Sequence, residues 1–226
     1  MMKTISSSQN PIIKEIRSLK NSKDRNKKGL FFVEGVRIIE EAFLSQAQIK
    51  YLVFSEEFIS SPGFERIEDL FNNDTNNDIN EEKSGAIKKY IIPAKLFKEI
   101  SDTETPQGVL AVIEIKKKTL ADLASPKGLY IFLDEIRDPG NMGTIIRTAD
   151  AAGFSGVIIS RNSADIYNPK VLRSTMGSIF HIDIYHCNST DTLTALRELK
   201  TRGLRILSSH LEGSTSIYEA NIGERT

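Results

Sequence analysis

One segment, residues 130–160, constrains the possible folds more than any other part of the chain. It starts with an apolar run, Tyr130–Leu133, passes through turn-forming residues around Pro139, and has apolar residues at helical spacing over 144–152. A second apolar run at 157–159 completes it. This order predicts a strand, a glycine-rich loop, a helix and a strand. Such βαβ connections are right-handed and place the loop at the carboxyl edge of a parallel sheet, where ligands of open α/β sheets bind.

Composition limits the class of protein. The chain has 226 residues, of which 39% are hydrophobic and 27% are charged, as expected for a globular protein that buries a core. Its single cysteine, Cys187, has no partner for an internal disulfide, and the first residues lack the apolar core of a signal peptide. No apolar stretch approaches the length of a membrane span. We therefore expect a cytoplasmic protein with no membrane contact.

Two domains are predicted, residues 1–115 and 127–226, joined by a polar linker at 116–126. Strands and helices alternate in both, and the near-continuous apolar runs of the second domain are typical of a parallel sheet covered on both faces. Residues 21–29 are predicted as a basic loop and residues 72–85 as a surface loop or disordered insertion. The predicted helices are 11–19, 35–44, 64–71, 94–100, 144–152, 170–177 and 192–200, and the predicted strands are 30–33, 51–54, 90–92, 109–114, 130–133, 157–159, 182–185 and 204–208.

Charged residues are distributed unevenly. The 30 basic and 30 acidic side chains cancel, but residues 1–30 carry eight basic and two acidic groups. A basic segment of this kind is suited to contact phosphate groups, and a solvated helix and loop is an equally good interpretation. Charge alone leaves both interpretations open.

Within the 130–160 segment, Asn141, Gly143, Arg147 and Ala149 form the pattern N-x-G-x-x-x-R-x-A. Glycine in such a loop lets the backbone turn tightly and approach a ligand closely. Arg147 lies on the first turns of the predicted helix and has the reach to point back to the loop. On spacing alone, a capped helix with a surface arginine explains the same pattern.

The same residues carry a resemblance to a known family. The run LDEIRDPGNMGTIIRTADAAGFSGVIIS, residues 133–160, resembles the first signature motif of the SpoU-type, or TrmH-type, RNA 2′-O-ribose methyltransferases. FVEGVRIIEEA (32–42) and TPQGVLAV (105–112) are similar to the amino-terminal RNA-recognition domain of that family, and NPKVLRSTMGSIFHI (168–182) to its next block. The resemblance implies an α/β fold, with a small amino-terminal α/β RNA-recognition domain and a parallel-sheet α/β methyltransferase domain of the trefoil-knot class.

The resemblance also implies an activity. It is the transfer of a methyl group from S-adenosylmethionine to a ribose 2′-hydroxyl in tRNA or rRNA, by a protein that forms a homodimer when intact. In this family the arginine of the first motif, here Arg147, is taken to activate the hydroxyl, and the asparagine, here Asn141, to help position the catalytic group and the nucleotide. The family-like residues expected to contact RNA are Arg137, Arg173 and Ser174 in the second domain and Arg25, Arg37 and Gln107 in the first.

The expected role of Arg147 needs a physical qualification. A guanidinium has a pKa above about 12 and is a poor general base. Arg147 therefore acts as a base only where nearby phosphate or protein groups make proton loss tolerable. Otherwise its role is to stabilise the forming alkoxide electrostatically.

The end of the sequence departs from the family pattern. In the family, a strand like 204–208 leads to a second motif of the type NEGxG and a third motif rich in Ser and Asn, which together wrap the cofactor in the knot. Here SSHLEGSTSIYEANIGERT follows, and neither motif is present. Ser209, His210 and Leu211 match the part of the cofactor pocket that remains. We therefore expect an incomplete chain without the knot segment, and weak or no binding of S-adenosylmethionine by these 226 residues.

Other classes of site lack their key residues. The sequence has no G-x-S-x-G elbow, no G-x-x-x-x-G-K-[ST] phosphate loop and no G-x-G-x-x-G fingerprint. His181, Asp183, His186 and Cys187 have the residue types of metal ligands, but strand alternation separates them and the family needs no metal, so we expect no metal site. Two alternatives to the enzyme remain: a non-catalytic RNA-binding protein derived from the same family, and an unrelated α/β enzyme for a small nucleotide.

Overall fold

A computed structural model describes residues 2–72, 87–123, 128–189, 191–213, 215, 216 and 219. The predicted insertion at 72–85 lies outside these residues except for its first position, which ends a helix. No helix in the described ranges is both long and apolar enough to cross a membrane.

The amino-terminal half contains a five-stranded mixed sheet. Its strands are β1 (Lys3–Thr4), β2 (Leu30–Glu34), β3 (Ile49–Ser55), β4 (Lys88–Ile92) and β5 (Val109–Glu114). They lie in the order β1-β4-β3-β5-β2, with β5 antiparallel to β2 and β3 and the other pairs parallel. The strands predicted from the apolar runs of this half are confirmed.

Helices cover both faces of this sheet. They are α1 (Pro11–Ser18), α2 (Ser22–Lys28), α3 (Val36–Leu44), α4 (Pro62–Asn72) and α5 (Ala94–Ile100). Apolar side chains of α1 and α5 pack on one face of the sheet, and those of α3 and α4 pack on the other. Because strand side chains alternate between faces, β2, β3 and β5 each contribute to both clusters.

Helix α2 occupies the segment that the sequence predicts as a basic loop, so that prediction is wrong. Asn21 caps the helix by accepting a 2.8 Å hydrogen bond from the Lys23 N–H, and Gly29 ends it with a left-handed φ of 64°. Both are ordinary signals of helix ends. The helix has no apolar stripe, which is why hydrophobic periodicity does not detect it.

The carboxyl-terminal half contains a four-stranded parallel sheet. Its strands are β6 (Lys118–Thr119), β7 (Tyr130–Leu133), β8 (Gly156–Ile159) and β9 (Ile184–His186), in the order β6-β9-β8-β7. Its helices are α6 (Pro139–Ala151), α7 (Pro169–Thr175) and α8 (Thr192–Thr201). Val157 and Ile159 of β8 pack with α6 and α7, whereas Ile158 packs with α8 on the opposite face. The predicted parallel sheet covered on both faces is confirmed, and β6 lies within the segment predicted as a linker.

The strand predicted at 204–208 is wrong. Within the described residues this segment pairs with no strand. Leu204 is buried against α8, but Ile206 and Leu207 remain 37% and 42% exposed. An apolar run becomes a strand only beside a partner that completes its hydrogen-bond ladder, and the described residues supply none here.

The two halves of the chain pack directly against each other. The ring of Phe31 in β2 lies 4.8 Å from that of Tyr167 and 6.3 Å from that of Phe180, measured between centroids. Leu172 of α7 belongs to the same buried cluster as Phe31. Buried aromatic pairs contribute about 0.5–1.5 kcal/mol each beyond the area they bury. Residues from both halves are therefore held in one arrangement.

Candidate active site

Helix α6 begins inside the segment that the sequence predicts as a glycine-rich loop. Asp138 is its N-cap and accepts a 2.7 Å hydrogen bond from the Asn141 N–H, and Pro139 occupies the first helical position. An aspartate is favourable there because it satisfies exposed N–H groups, and proline is favourable because it loses no hydrogen bond. The predicted loop is therefore wrong, and Asn141 lies in the first turn of a helix at the carboxyl edge of the sheet.

Gly143 allows α6 and α7 to touch. A Cβ atom at this position would lie 2.4 Å from the Ser174 Cβ and 2.7 Å from the Val171 carbonyl oxygen. Real carbon atoms do not approach that closely, so only glycine fits without movement of α7. The glycine of the motif thus serves helix packing, and it places Ser174 directly beside α6.

Arg147 lies one turn beyond Gly143 on the same face of α6. Its side chain is exposed, and within the described part of the chain it makes no hydrogen bond or ion pair. Helical side chains lean toward the helix N-terminus, so the guanidinium can reach back toward the turn that contains Gly143. Asn141 is also exposed and lies about 120° away around the helix axis. Of the two predicted catalytic residues, Asn141 therefore lies in the first turn of α6 and Arg147 in its third.

The loops after β7 and β8 meet at the carboxyl edge of the sheet, where the sequence predicts the first of them. Glu135, with a positive φ of 50°, donates its N–H to the Ser160 Oγ at 2.9 Å. Its carboxylate accepts hydrogen bonds from the Asn162 Nδ2 at 3.0 Å and from Arg137 at 2.8 Å. These two hydrogen bonds hold the pKa of the Glu135 carboxyl below its usual range. Arg137 is thus exposed but tethered to this edge.

Helix α7 carries two further predicted residues. The Arg173 Nη1 donates to the Asp102 Oδ2 at 2.7 Å, an ion pair that crosses between the two halves of the chain. The Ser174 hydroxyl donates to the Lys170 carbonyl oxygen at 2.9 Å. Arg173 uses one of its five N–H donors in this pair, and its side chain stays 45% exposed.

Gln107 and Arg37 lie together at the N-terminus of α3. The Gln107 Oε1 accepts the Val36 N–H at 3.3 Å, and Arg37 follows as an exposed residue. The loop that carries Gln107 also contains Asp102, and Glu34 holds this loop by accepting hydrogen bonds from nearby hydroxyl groups. Local contacts therefore link predicted residues of both halves. We call the set Arg37, Gln107, Arg173, Ser174 and Arg147 the candidate RNA surface.

Arg25 lies outside that surface, and the structure gives it a different contact from the predicted one. The residue is 2% exposed. Its Nη2 and Nε donate to the Asp165 Oδ2 at 2.6 and 3.2 Å, and its Nη1 donates to the carbonyl oxygens of Leu19 and Lys20. Four of its five donors are thus occupied by protein acceptors. Contact between Arg25 and RNA would require this arrangement to open.

Comparison with known proteins decides the family. Residues 128–226 match the SpoU rRNA methylase family, and residues 10–111 match the MRM3-like substrate-binding domain. The 23S rRNA (guanosine(2553)-2′-O)-methyltransferase RlmP of Bacillus subtilis is 31% identical over 218 residues, covering 96% of this chain and 77% of that protein. This chain belongs to the SpoU rRNA methylase family.

Other SpoU-family proteins extend the comparison. Mitochondrial rRNA methyltransferase 3 of Mus musculus is 29% identical over 203 residues, which cover 87% of this chain and 41% of that protein. The AdoMet-bound crystal structure of an rRNA methyltransferase from Sinorhizobium meliloti is 31% identical and superposes with a TM-score of 0.76, over 94% of this chain and 74% of that one. The family and the α/β fold predicted from the first motif are both confirmed.

The residues matched to the cofactor pocket of SpoU proteins lie in an exposed turn. Ser209, His210 and Leu211 are all exposed, and the His210 Nδ1 accepts the Glu212 N–H at 3.1 Å. In this arrangement the three residues do not enclose a ligand. Their assignment to the cofactor remains a prediction.

The four residues with metal-ligand chemistry do not converge. His181 bonds to Glu41 at 2.9 Å, whereas Asp183 bonds to Lys118 at 2.5 Å. Burial lowers the pKa of His186, which favours its neutral form, and raises the pKa of Cys187. Among the described residues, no group of three or more His, Cys, Asp or Glu side chains is placed to hold a metal ion.

Sequence reasoning missed three acidic residues that organise the site. Asp102 pairs with Arg173, Asp165 pairs with Arg25, and Glu135 joins the loops after β7 and β8. The partners of Asp102 and Asp165 are 71 and 140 positions away, so no local spacing reveals them. Glu135 stands within the recognised motif, and only its positive φ marks it as unusual.

Proposed function

We propose that this SpoU-family protein uses S-adenosylmethionine to methylate a ribose 2′-hydroxyl in rRNA. The observation that carries the proposal is the similarity to RlmP, which extends over 96% of the chain and so includes both halves. Methylation of tRNA is the alternative within the same reaction class. Both require an RNA-binding surface beside a group that stabilises a ribose alkoxide, and Arg147 on α6 is such a group.

Arg147 is proposed as the catalytic residue. Its guanidinium is exposed and carries no competing ion pair among the described residues, so it is available to a substrate oxygen. Because a guanidinium is a poor base, we assign it electrostatic stabilisation of the oxygen as its proton leaves, together with orientation for in-line attack. Asn141, at the first turn of α6, is proposed to position the nucleotide. S-adenosylmethionine supplies the methyl group, and Ser209, His210 and Leu211 are the residues proposed to contribute to its site.

RNA is proposed to lie along the candidate RNA surface. Arg37 and Gln107 would contact it from the amino-terminal half, and Arg173 and Ser174 from α7. Arg137 is the further candidate at the carboxyl edge of the second sheet. The Arg173–Asp102 pair is partly exposed, and such pairs are worth only about 0–1 kcal/mol, so a phosphate group can replace the carboxylate at little cost.

The proposal also covers the domain bounds, the location and the oligomeric state of the protein. We assign residues 1–115 to RNA recognition, 116–126 to a linker and 127–226 to the methyltransferase domain. We also propose that the intact protein is a cytoplasmic homodimer. Sedimentation of the protein at several concentrations, which separates a dimer from a monomer by mass, tests the last point.

Methyl transfer from tritium-labelled S-adenosylmethionine tests the function. Purified rRNA and tRNA are assayed separately, and labelled positions are mapped by the resistance of 2′-O-methylated linkages to alkaline hydrolysis. We expect label in rRNA with the intact wild-type protein and almost none with its Arg147→Ala variant. Binding of RNA without methyl transfer would favour the non-catalytic RNA-binding protein, and absence of both would contradict the proposed function.

A further inference from the structure

Arg25 is the most deeply buried charged side chain of the described residues and lies where the two halves of the chain meet. It extends from α2 to Asp165, in the loop between β8 and α7. The side chains of Arg25 and Asp165 are 3% and 25% exposed. Taking a charge out of water costs several kcal/mol, so such a pair persists only where further hydrogen bonds satisfy it.

Those further hydrogen bonds come from both halves. The carbonyl oxygens of Leu19 and Lys20, just past the end of α1, accept from the Arg25 Nη1 at 2.8 and 2.9 Å. On the other side, Asp165 also accepts from the Ser22 hydroxyl at 2.8 Å and from the Tyr167 N–H at 2.9 Å. Arg25 therefore joins α1, α2 and the loop after β8 in one network.

The loop that holds Asp165 leads directly to the candidate active site. The Ala164 N–H, one residue before Asp165, donates to the Ile136 carbonyl oxygen at 2.7 Å. Ile136 precedes Arg137, and α6 begins two residues after Arg137. Two contacts thus separate a buried arginine of the amino-terminal half from the helix that carries Asn141 and Arg147.

The other ion pairs between the halves are more exposed. Arg173–Asp102 has side-chain exposures of 45% and 32%, and His181–Glu41, an ion pair only when His181 is protonated, has 43% and 39%. Exposed pairs are weak and exchange readily with solvent. Among the described ion pairs that cross between the halves, Arg25–Asp165 is therefore the one suited to fix their orientation.

We propose that Arg25 and Asp165 are positioning residues that hold the recognition half in one orientation against α6, and that this orientation selects the methylated ribose. When RNA is bound at Arg37 and Gln107, only a nucleotide at one fixed distance from that contact then reaches Arg147. The selection of the ribose rests on the proposed function, whereas the orientation of the two halves does not.

Two measurements test the two parts separately. Spin labels at Lys95→Cys on α5 and Lys200→Cys on α8, both exposed positions, report the distance between the halves by double electron–electron resonance. The natural Cys187 is 3% exposed and stays unlabelled. Mapping of 2′-O-methyl groups in rRNA reports which riboses are modified.

We expect Asp165→Ala and Arg25→Gln to broaden the distance distribution and to add methylation at secondary riboses. Selectivity for the principal ribose should fall about tenfold, within the range typical of energetically coupled sites. Asp165→Asn keeps a hydrogen-bond acceptor and should broaden the distances and add secondary methylation to a smaller extent. It replaces the other variants if they fold poorly. Lower stability alone reduces the amount of product without changing its position.

Glu99→Ala is the matched control, because it removes the Arg17–Glu99 ion pair inside the recognition half. It should leave both the distance distribution and the methylation map unchanged. A narrow, unchanged distribution in Asp165→Ala and Arg25→Gln would overturn the proposed orientation, and an unchanged methylation map would overturn the selection. If the intact wild-type protein transfers no methyl group, the proposed function fails, and the spin-label distances still decide the orientation.

Discussion

Arg25 and Arg147 occupy opposite environments within one protein. Arg25 is 2% exposed and donates four hydrogen bonds to protein acceptors. Arg147 is exposed and has no partner among the described residues. Both came from the sequence as candidate site residues, one for RNA and one for catalysis. The difference shows that a guanidinium with its donors occupied serves the fold, whereas one with its donors free is available to a substrate.

The two environments also differ in what a substitution removes. At Arg25, loss of the guanidinium leaves the partly buried Asp165 carboxylate without its compensating charge, and it removes the donor to the carbonyl oxygens of Leu19 and Lys20. At Arg147, loss of the guanidinium leaves no described protein group without a hydrogen-bond partner. Stability should therefore respond at the first position and activity at the second.

The largest expected effect tests the first half of this comparison. Arg25→Ala should lower the free energy of unfolding by about 3–5 kcal/mol, because Asp165 loses the charge that compensates its burial. Urea denaturation measures the change. Arg17→Ala, which breaks an exposed pair with Glu99, should cost less than about 1 kcal/mol. Equal losses in the two variants would remove the distinction between buried and exposed arginine.

Arg147→Lys tests the second half. It keeps the charge but loses the planar fork, and we expect kcat/KM for methyl transfer to fall about 10²–10³-fold, as when one oxyanion donor is removed. The free energy of unfolding should change by less than about 0.5 kcal/mol, since the side chain is exposed. Arg197→Lys on α8, across the sheet from α6, is the control and should retain activity. Near-wild-type turnover of Arg147→Lys would exclude Arg147 as the catalytic residue.

Gly143→Ala should have a smaller effect on stability, and it tests whether the motif glycine is needed for packing of α6 against α7. The added Cβ would force α6 and α7 apart, and overpacking of this kind costs about 1–3 kcal/mol. Gly140→Ala is the control, because a Cβ there would meet only the Asp138 carboxylate, at 3.1 Å. Thermal unfolding compares the two variants. A more stable Gly143→Ala would show that α7 moves away freely.

The smallest expected effect concerns pH. Burial tends to raise the pKa of Asp165, but hydrogen bonds from Arg25 and Ser22 outweigh it, and the net pKa lies below the ordinary value of 3.8. Asp165 therefore contributes stability that is fully present above pH 4 or so and is lost as the pH falls through its lowered folded-state pKa. In Asp165→Asn this contribution disappears, so urea midpoints below about pH 4 should depend less on pH than in the wild type. If the urea midpoints of the wild type and Asp165→Asn changed equally with pH, the lowered pKa of Asp165 would be contradicted.

Local features of the site were predictable, and long-range ones were not. The βαβ unit, its position at the carboxyl edge and the placement of Arg147 on a helix follow from residues close together in sequence. The start of α6 was missed although Asp138 and Pro139 are standard helix-start signals, because the glycines suggested a loop. The reason for Gly143 was also missed, since its contact with Ser174 lies in another helix.

The sequence by itself determined most of the helices and strands, the family and the residue types of the site. These depend on periodicity, on helix-end signals and on a continuous motif. Only the tertiary structure decided which arginine is buried and which is free. Arg25 and Asp165 are 140 positions apart, and burial is a property of the surroundings that folding assembles. The same side chain thus became a structural residue at one position and a candidate catalyst at the other because only one of them met a buried carboxylate.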